Sequence, residues 1–350
     1  MFYVVTGGSG SGKSAFAEDL ICRNYHVPGS DHPAGSLLYI ATMVPYGEET
    51  RSKIRRHRDM RMNKGFSTIE CYTGLGALTE KGGQLYEDAS DSLKSQGKPC
   101  VLLECMSNLV ANEMYEPGGA GNDAVASVLA GIEMLKNRCR HLVVVTNEIC
   151  SESTEDTSEM ALYKKMLAEI NRGMAATADG VVEVVYGMPV FVKGQNPARR
   201  EQEENVMQKG TKKQKNTSSV SLKMVIGGAF QGKRKFAEQT YGNIQWADGA
   251  DCPEEALYTC GGIFHFEEYI KRRMKKGDNL DGLVHSIAER SPGLVVVSRE
   301  IGYGLVPVDA FEREYREKTG RICTELAALA SRVDRVICGI GVPLKGDKQA

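Results

Sequence analysis

The chain has 350 residues, 41% of them hydrophobic, which is enough apolar material for about two ordinary domains. Its formal net charge of −1 excludes a general electrostatic attraction to nucleic acid or to a membrane surface. None of the ten cysteines forms a Cys-x-x-Cys pair and no apolar run reaches membrane-spanning length, so neither a zinc site nor a membrane span is expected.

Taken in chain order, short apolar runs predict buried parallel strands at residues 2–6, 37–41, 101–104, 141–146 and 181–186. Helical patterns lie between them at 15–23, 124–137 and 159–176. Alternation of this kind predicts an α/β fold, a mainly parallel sheet covered on both faces. The amino terminus lacks the charged-then-apolar pattern of a signal peptide, and the widely spaced cysteines suit reduced thiols, so a cytoplasmic protein is expected.

The first predicted strand runs into Gly7-Gly8-Ser9-Gly10-Ser11-Gly12-Lys13-Ser14, which fits G-x-x-x-x-G-K-[ST] at every fixed position. An apolar strand before it and a helical run after it are the setting that a phosphate-binding P-loop needs. Glycines let backbone N–H groups curl around phosphate oxygens. Lys13 is then expected on the β- and γ-phosphates and the Ser14 hydroxyl on Mg²⁺. A carboxylate is needed to complete the metal's shell. Glu104 ends the apolar strand Val-Leu-Leu-Glu, a position that suits that role and equally suits an ordinary acidic strand end.

Residues 53–61 read KIRRHRDMR. Two readings stand side by side. One is a solvated basic helix face. The other is a nucleophile, His57, flanked by arginines that neutralise a triphosphate, since a neutral imidazole attacks phosphorus near pH 7 without a separate base.

Residues 195–220 are almost wholly polar and read as a solvated linker. The flanks resemble each other. VVTGGSGSGKSAFAE (4–18) matches MVIGGAFQGKRKFAE (224–238), and VVVTNEI (143–149) matches VVVSREI (295–301). VVEVVYGMPVFVKG (181–194) matches VDRVICGIGVPLKG (333–346), and each is read as a closing strand. Three landmarks in one order imply a duplication. The offset falls from 220 to 152 between the first two, so the second copy is about 68 residues shorter there. The expected domains are therefore 1–194, a linker at 195–220, and 221–346.

The strings GGSGSGKSAFAE, YIAT, KIRRHRDMR, LLECMSNLVAN and VVVTNE stand in the order found in the bifunctional adenosylcobinamide kinase and adenosylcobinamide-phosphate guanylyltransferase family. The first half resembles that family almost end to end, and the second half resembles a shortened, divergent copy. The resemblance implies a RecA-like P-loop NTPase fold, here in tandem with the second copy degenerate. It implies phosphorylation of adenosylcobinamide, then transfer of GMP from GTP to the resulting phosphate through a guanylylated histidine at His57. It places nucleotide contacts, for GTP or ATP with Mg²⁺, on Gly7, Gly8, Ser9, Gly10, Ser11, Gly12, Lys13 and Ser14. It adds Thr42, Met43 and Val44, then Arg58, Asp59, Met60 and Arg61, and finally Glu70 and Glu104. Family members tend to form homotrimers, so a homo-oligomer or a pairing of the two halves is expected.

The chain departs from the family in two places. Residues 149–156, ICSESTED, replace a Gly-x-Gly loop that the second half keeps at 302–307, and two readings of 302–307 stand side by side: it closes the acceptor site of the first half, or it is only a strand-to-helix connection in a decaying domain. The second half lacks the histidine segment and is read as lacking the LLEC strand, and Arg234 replaces the metal-binding hydroxyl. It is expected to bind nucleotide weakly or an anion only, with His265 read as part of an amphipathic helix. Two other functions remain open on the residues alone: a P-loop kinase of a different small molecule, and a nucleotide-gated binding or scaffold protein.

Overall fold

The computed structural model describes residues 1–25, 36–61, 64–80, 83, 85, 98–149, 157–195, 221–242 and 244–346, with the side chains of Glu49, Lys53, Arg56, His57 and Met60 outside the described set. Residues 150–156 and 196–220, the divergent loop beyond Ile149 and all but the first residue of the expected linker, also lie outside it. The chain divides into two compact units. One comprises Met1–Gly7, Lys13–Glu183 and Phe191–Gln195; the other comprises Gly8–Gly12, Val184–Val190 and Asn196–Ala350.

The first sheet is built from β1 (Phe2–Thr6), β2 (Leu37–Ala41), β3 (Ser67–Glu70), β4 (Cys100–Glu104), β5 (His141–Val145), β6 (Gly180–Val185) and β7 (Met188–Lys193), in the order β3-β2-β4-β5-β1-β6-β7. Every strand from β3 to β6 pairs in parallel with its neighbours. The helices described in this half are α1 (Lys13–Tyr25), α2 (Gly47–Arg61), α3 (Met106–Tyr115), α4 (Ala124–Arg138) and α5 (Ser158–Thr177). Val5, Val101, Leu102, Leu103, Val143 and Val144 are fully buried, because a parallel sheet covered on both faces turns no strand residue to water. Burial of such a side chain contributes about 1.5–3 kcal/mol. The expected strands and helices are all present, with ends differing by at most two residues.

The second sheet is built from β8 (Lys223–Gly227), β9 (Trp246–Asp248), β10 (Gly262–Phe264), β11 (Val295–Arg299), β12 (Arg332–Ile337) and β13 (Ile340–Lys345). Its helices are α6 (Lys233–Tyr241), α7 (Ala256–Thr259), α8 (Phe266–Lys275), α9 (Leu283–Arg290) and α10 (Ala310–Leu329). Strand order is β13-β12-β8-β11-β10-β9. Read from the other edge, this is the order β2-β4-β5-β1-β6-β7 of the first sheet without its β3. Two tandem copies of one P-loop fold result, the second shortened.

Three expectations need correction. Each closing segment is not one strand but an antiparallel pair. The reversal is a two-residue turn with both residues left-handed: Tyr186 and Gly187 at φ 45° and 80°, Cys338 and Gly339 at 50° and 83°. That conformation matches the twist of the strands it joins. The LLEC strand is also not missing from the second half, since β10 occupies the place of β4. Residue correspondence follows from register. Leu103 pairs with Val144 and Ile263 with Val296, and Val144 and Val296 are equivalent through the repeat. Glu104 therefore corresponds to Phe264, and Cys105 to His265. Finally, His265 is not within a helix but stands just before α8 with a left-handed backbone, φ 49°.

The two loops after β1 and β8 have nearly the same backbone. Gly7, Gly10 and Gly12 sit at φ 154°, 70° and 85°, and Gly227, Phe230 and Gly232 at 154°, 58° and 83°. Phe230 holds a left-handed conformation without being glycine, at a cost of about 1–2 kcal/mol. No described helix is long and apolar enough to cross a membrane.

Candidate active site

Strands β2, β4 and β5 run in parallel, so their carboxyl ends meet on one side, where ligands bind in open α/β sheets. The phosphate loop leads from β1 into α1, whose first two residues are Lys13 and Ser14. The Ser14 hydroxyl donates to Oε1 of Glu104 at the end of β4. Oε2 of the same carboxylate accepts from the Tyr39 hydroxyl at 3.1 Å. Burial lowers the pKa of the Lys13 ammonium, and nearby Cys105 and Glu104 work against that shift. A desolvated ammonium interacts with phosphate more strongly than an exposed one does.

Tyr39 links this pair to α2. The Arg61 guanidinium lies 3.4 Å from the centre of its ring, a cation–π contact. Burial, then the charge of Glu104, hold the tyrosine hydroxyl protonated far above its usual range. Arg61 is itself buried, and its Nη1 has no hydrogen-bond partner among the described residues. Buried guanidinium nitrogens are normally satisfied, so an anionic group there would complete the site.

Thr42 lies one residue past β2 and is fully buried. Its Oγ1 donates to the Cys105 carbonyl and accepts from the Cys105 amide, both at 2.8 Å. Its own carbonyl accepts from Nδ2 of Asn112 on α3 at 2.8 Å. Asn112 also reaches the Tyr72 carbonyl at 3.0 Å. This network ties the ends of β2 and β4 together and so sets where Glu104 stands. A Thr42→Val variant should lose about 1–3 kcal/mol of stability, since the Cys105 amide and carbonyl lose their shared partner. The denaturant midpoint measures it, and an unchanged midpoint would show that the hydroxyl does not join the strand ends.

Beyond β5, Asn147 Nδ2 donates to the Ser107 hydroxyl at 2.7 Å, and the Tyr163 hydroxyl donates to the Ser107 carbonyl at 3.0 Å. The Glu148 amide donates to the Gly7 carbonyl at 3.3 Å, which places the Thr-Asn-Glu segment against the start of the phosphate loop.

Of the site residues named from sequence, Lys13, Ser14, Thr42 and Glu104 come together, and Arg61 joins them through Tyr39. Met43 and Val44 follow Thr42, half-buried. Arg58 and Glu70 pair with one another at 2.9 Å, both exposed, and Glu70 also accepts from the Tyr72 hydroxyl. Asp59 is exposed on α2. His57 and Met60 lie on the same helix, one turn and one residue before Arg61, with their side chains outside the described set. Sequence reasoning missed Tyr39, Ser107, Asn112 and Asn147. The strings YIAT, LLECMSNLVAN and VVVTNE contain all four, so the signal was the recurrence of those strings rather than any one residue.

Comparison with known proteins matches this arrangement. The family model described as cobinamide kinase / cobinamide phosphate guanyltransferase fits residues 3–192 and again 254–344. The bifunctional adenosylcobalamin biosynthesis protein CobU of Salmonella typhimurium is 30% identical over 204 residues, 55% of this chain and all of the relative. The Escherichia coli K12 protein of the same name is 28% identical over the same extent. The bifunctional protein CobP of Pseudomonas aeruginosa is 30% identical over 67 residues, covering 19% of this chain and 39% of the relative. With the family pattern present in both halves, and the acid, hydroxyl and lysine of a phosphate loop assembled in the first, this chain belongs to the cobinamide kinase / cobinamide phosphate guanyltransferase family.

Proposed function

We propose that the chain phosphorylates the aminopropanol hydroxyl of adenosylcobinamide from ATP or GTP, then transfers GMP from GTP to that phosphate, with the first half carrying the chemistry. The observation that supports it most directly is the meeting of Ser14 and Glu104 beside a half-buried, desolvated Lys13. A hydroxyl and a carboxylate at the foot of a phosphate loop are the hard oxygen donors that suit Mg²⁺, so these two residues fit that ion. Magnesium, when bound, would neutralise charge on the phosphates.

In the kinase step Lys13 and the loop amides hold the β- and γ-phosphates, and the acceptor oxygen bonds to the γ-phosphorus as the bond to the β-phosphate oxygen breaks. Such transfer needs positioning and charge neutralisation rather than a covalent group. In the second activity a ring nitrogen of His57 bonds to the α-phosphorus of GTP and pyrophosphate leaves. A phosphate oxygen of adenosylcobinamide phosphate then bonds to that phosphorus, and the P–N bond breaks. Two displacements let one nucleotide site serve successive acceptors. The buried, unpartnered edge of Arg61 supports a polyphosphate position near α2.

The test is mass spectrometry of the protein after incubation with Mg·GTP. An acid-labile adduct of GMP mass is expected on the peptide that contains His57. Formation of the GDP ester of cobinamide without any such adduct would overturn the histidine relay. Absence of both products from adenosylcobinamide would overturn the assignment as a whole.

A further inference from the structure

The second unit holds an open cavity of about 370 Å³ at its own phosphate-type loop. Lys233, Arg234 and Arg299 line it together with Phe230, His265 and Glu267. The carboxylate is held at the back: Glu267 is buried, accepts from the Arg299 amide at 2.9 Å and lies 3.9 Å from the Arg299 guanidinium. The cations thus outnumber the acid, and Arg234, with an exposed side chain, is reachable from solvent.

Contacts around this loop differ from those of the first half in pairs. Where Ser14 bonds to Glu104, the equivalent residues are Arg234 and Phe264, and the guanidinium lies 4.7 Å from the ring centre. Where Tyr39 bonds to Glu104, Trp246 stacks on Phe264 at 4.2 Å. Where Asn147 bonds to Ser107, Arg299 meets Glu267. Loss of function alone would strand one member of a pair beside an unchanged partner. Here both members change and remain in contact, so the site has been rebuilt. The rebuilding removes both metal donors and puts a permanent cation in their place, its guanidinium over the Phe264 ring and its Nε donating to Glu238 at 3.0 Å, which leaves the two terminal nitrogens to face a ligand.

We propose that this cavity binds a polyphosphate without a metal ion, the Arg234 guanidinium replacing the cation. Planar guanidinium groups bind phosphate oxygens by paired charge-assisted hydrogen bonds, which a lone ammonium does not offer. Lys233, whose Nζ donates to the Gly228 carbonyl at 2.6 Å, and Arg299 supply the other charges. The ligand is a nucleoside triphosphate or free pyrophosphate, which share this chemistry. Phe230, fully exposed at the loop, offers a stacking face only the nucleotide would use. This site does not depend on the cobinamide reading of the first half.

The experiment is calorimetric titration of the full-length Lys13→Ala protein, in which the first loop is disabled, with inorganic pyrophosphate and separately with GTP. Each is run in EDTA and again in excess Mg²⁺. Binding is expected in EDTA and should not strengthen with Mg²⁺. Adding Arg234→Ser should weaken it at least about tenfold in EDTA, while Arg234→Lys should retain part of it. The pair Arg234→Ser with Phe264→Glu restores the hydroxyl and the acid, and should bind only with Mg²⁺. Melting temperatures confirm that each variant is folded, and the single variants decide the matter if the pair is not. Tighter binding of GTP, removed by Phe230→Ala, identifies a nucleotide as the ligand; equal or tighter binding of pyrophosphate identifies the free anion, and both agree with the site. No binding in EDTA, or binding that Arg234→Ser leaves unchanged, overturns the proposal and leaves the function of the first half untouched.

Discussion

A Lys13→Ala enzyme is expected to lose both transfers, each by at least about a hundredfold in kcat/KM, when assayed with adenosylcobinamide for the first and its phosphate for the second. Lys13 opens α1 beside Ser14 and Glu104, and it is desolvated there. On the proposed mechanism its charge meets the bridging and terminal oxygens on which negative charge builds as phosphoryl transfer proceeds, so its removal should act on the transition state and not on substrate binding alone. The proposed function has both reactions draw on the same loop, and the loss should therefore be parallel. Product analysis by chromatography reads the two separately. Retention of either transfer would move that chemistry out of the first loop and would break the assignment of one nucleotide site to both steps.

His57→Ala should divide the two activities instead. Kinase turnover is expected within about tenfold of the parent, while formation of the GDP ester falls below about a thousandth, because in the proposed mechanism only the second step passes through a covalent adduct. Adenosylcobinamide phosphate then accumulates in a reaction supplied with adenosylcobinamide and GTP. The kinase activity also serves as an internal check that the variant is folded. A variant that still makes the GDP ester at a rate near the parent's would refute the histidine as the relay, whatever the fate of the kinase step.

The phosphate loop was legible because its chemistry is local. Eight consecutive residues, a strand before and a helix after carry the whole signal, and the backbone angles at Gly7, Gly10 and Gly12 show why glycine stands there. The strands were legible because buried parallel strands are unbroken apolar runs. The hairpins were misread for the same reason. Apolar residues continue through Tyr186-Gly187 and Cys338-Gly339 with no polar break, although a glycine at the second turn position was the available clue. Strand β10 escaped notice because three residues, Gly-Ile-Phe, are too short for a pattern; only its register against β11 identifies it. The union of Thr42, Cys105 and Asn112 spans up to 70 residues of chain. No periodicity encodes such a contact, and only the folded sheet brings it about. Arg234 was legible in the repeated loop, but its counterpart change at Phe264 has no expression in sequence until the two sheets are aligned strand by strand.

The shared strand order also bears on how the chain reaches its folded state. Each strand of the second sheet has a counterpart slot in the first, joined in a single molecule, so a strand can in principle dock in the wrong sheet while folding is under way. Misassembly between related domains is a recognised failure of tandem proteins. Divergence of the halves opposes it. Strands β9 and β10 have three residues where β2 and β4 have five, so an exchanged strand would leave unpaired backbone or an overhanging apolar end. Phe264 in the slot of Glu104 would face Ser14 without an acceptor, and Glu104 in the slot of Phe264 would displace the aromatic stack on Trp246. The differences at Arg234, Phe264 and the strand lengths therefore also disfavour exchange of strands between the two sheets as the chain folds.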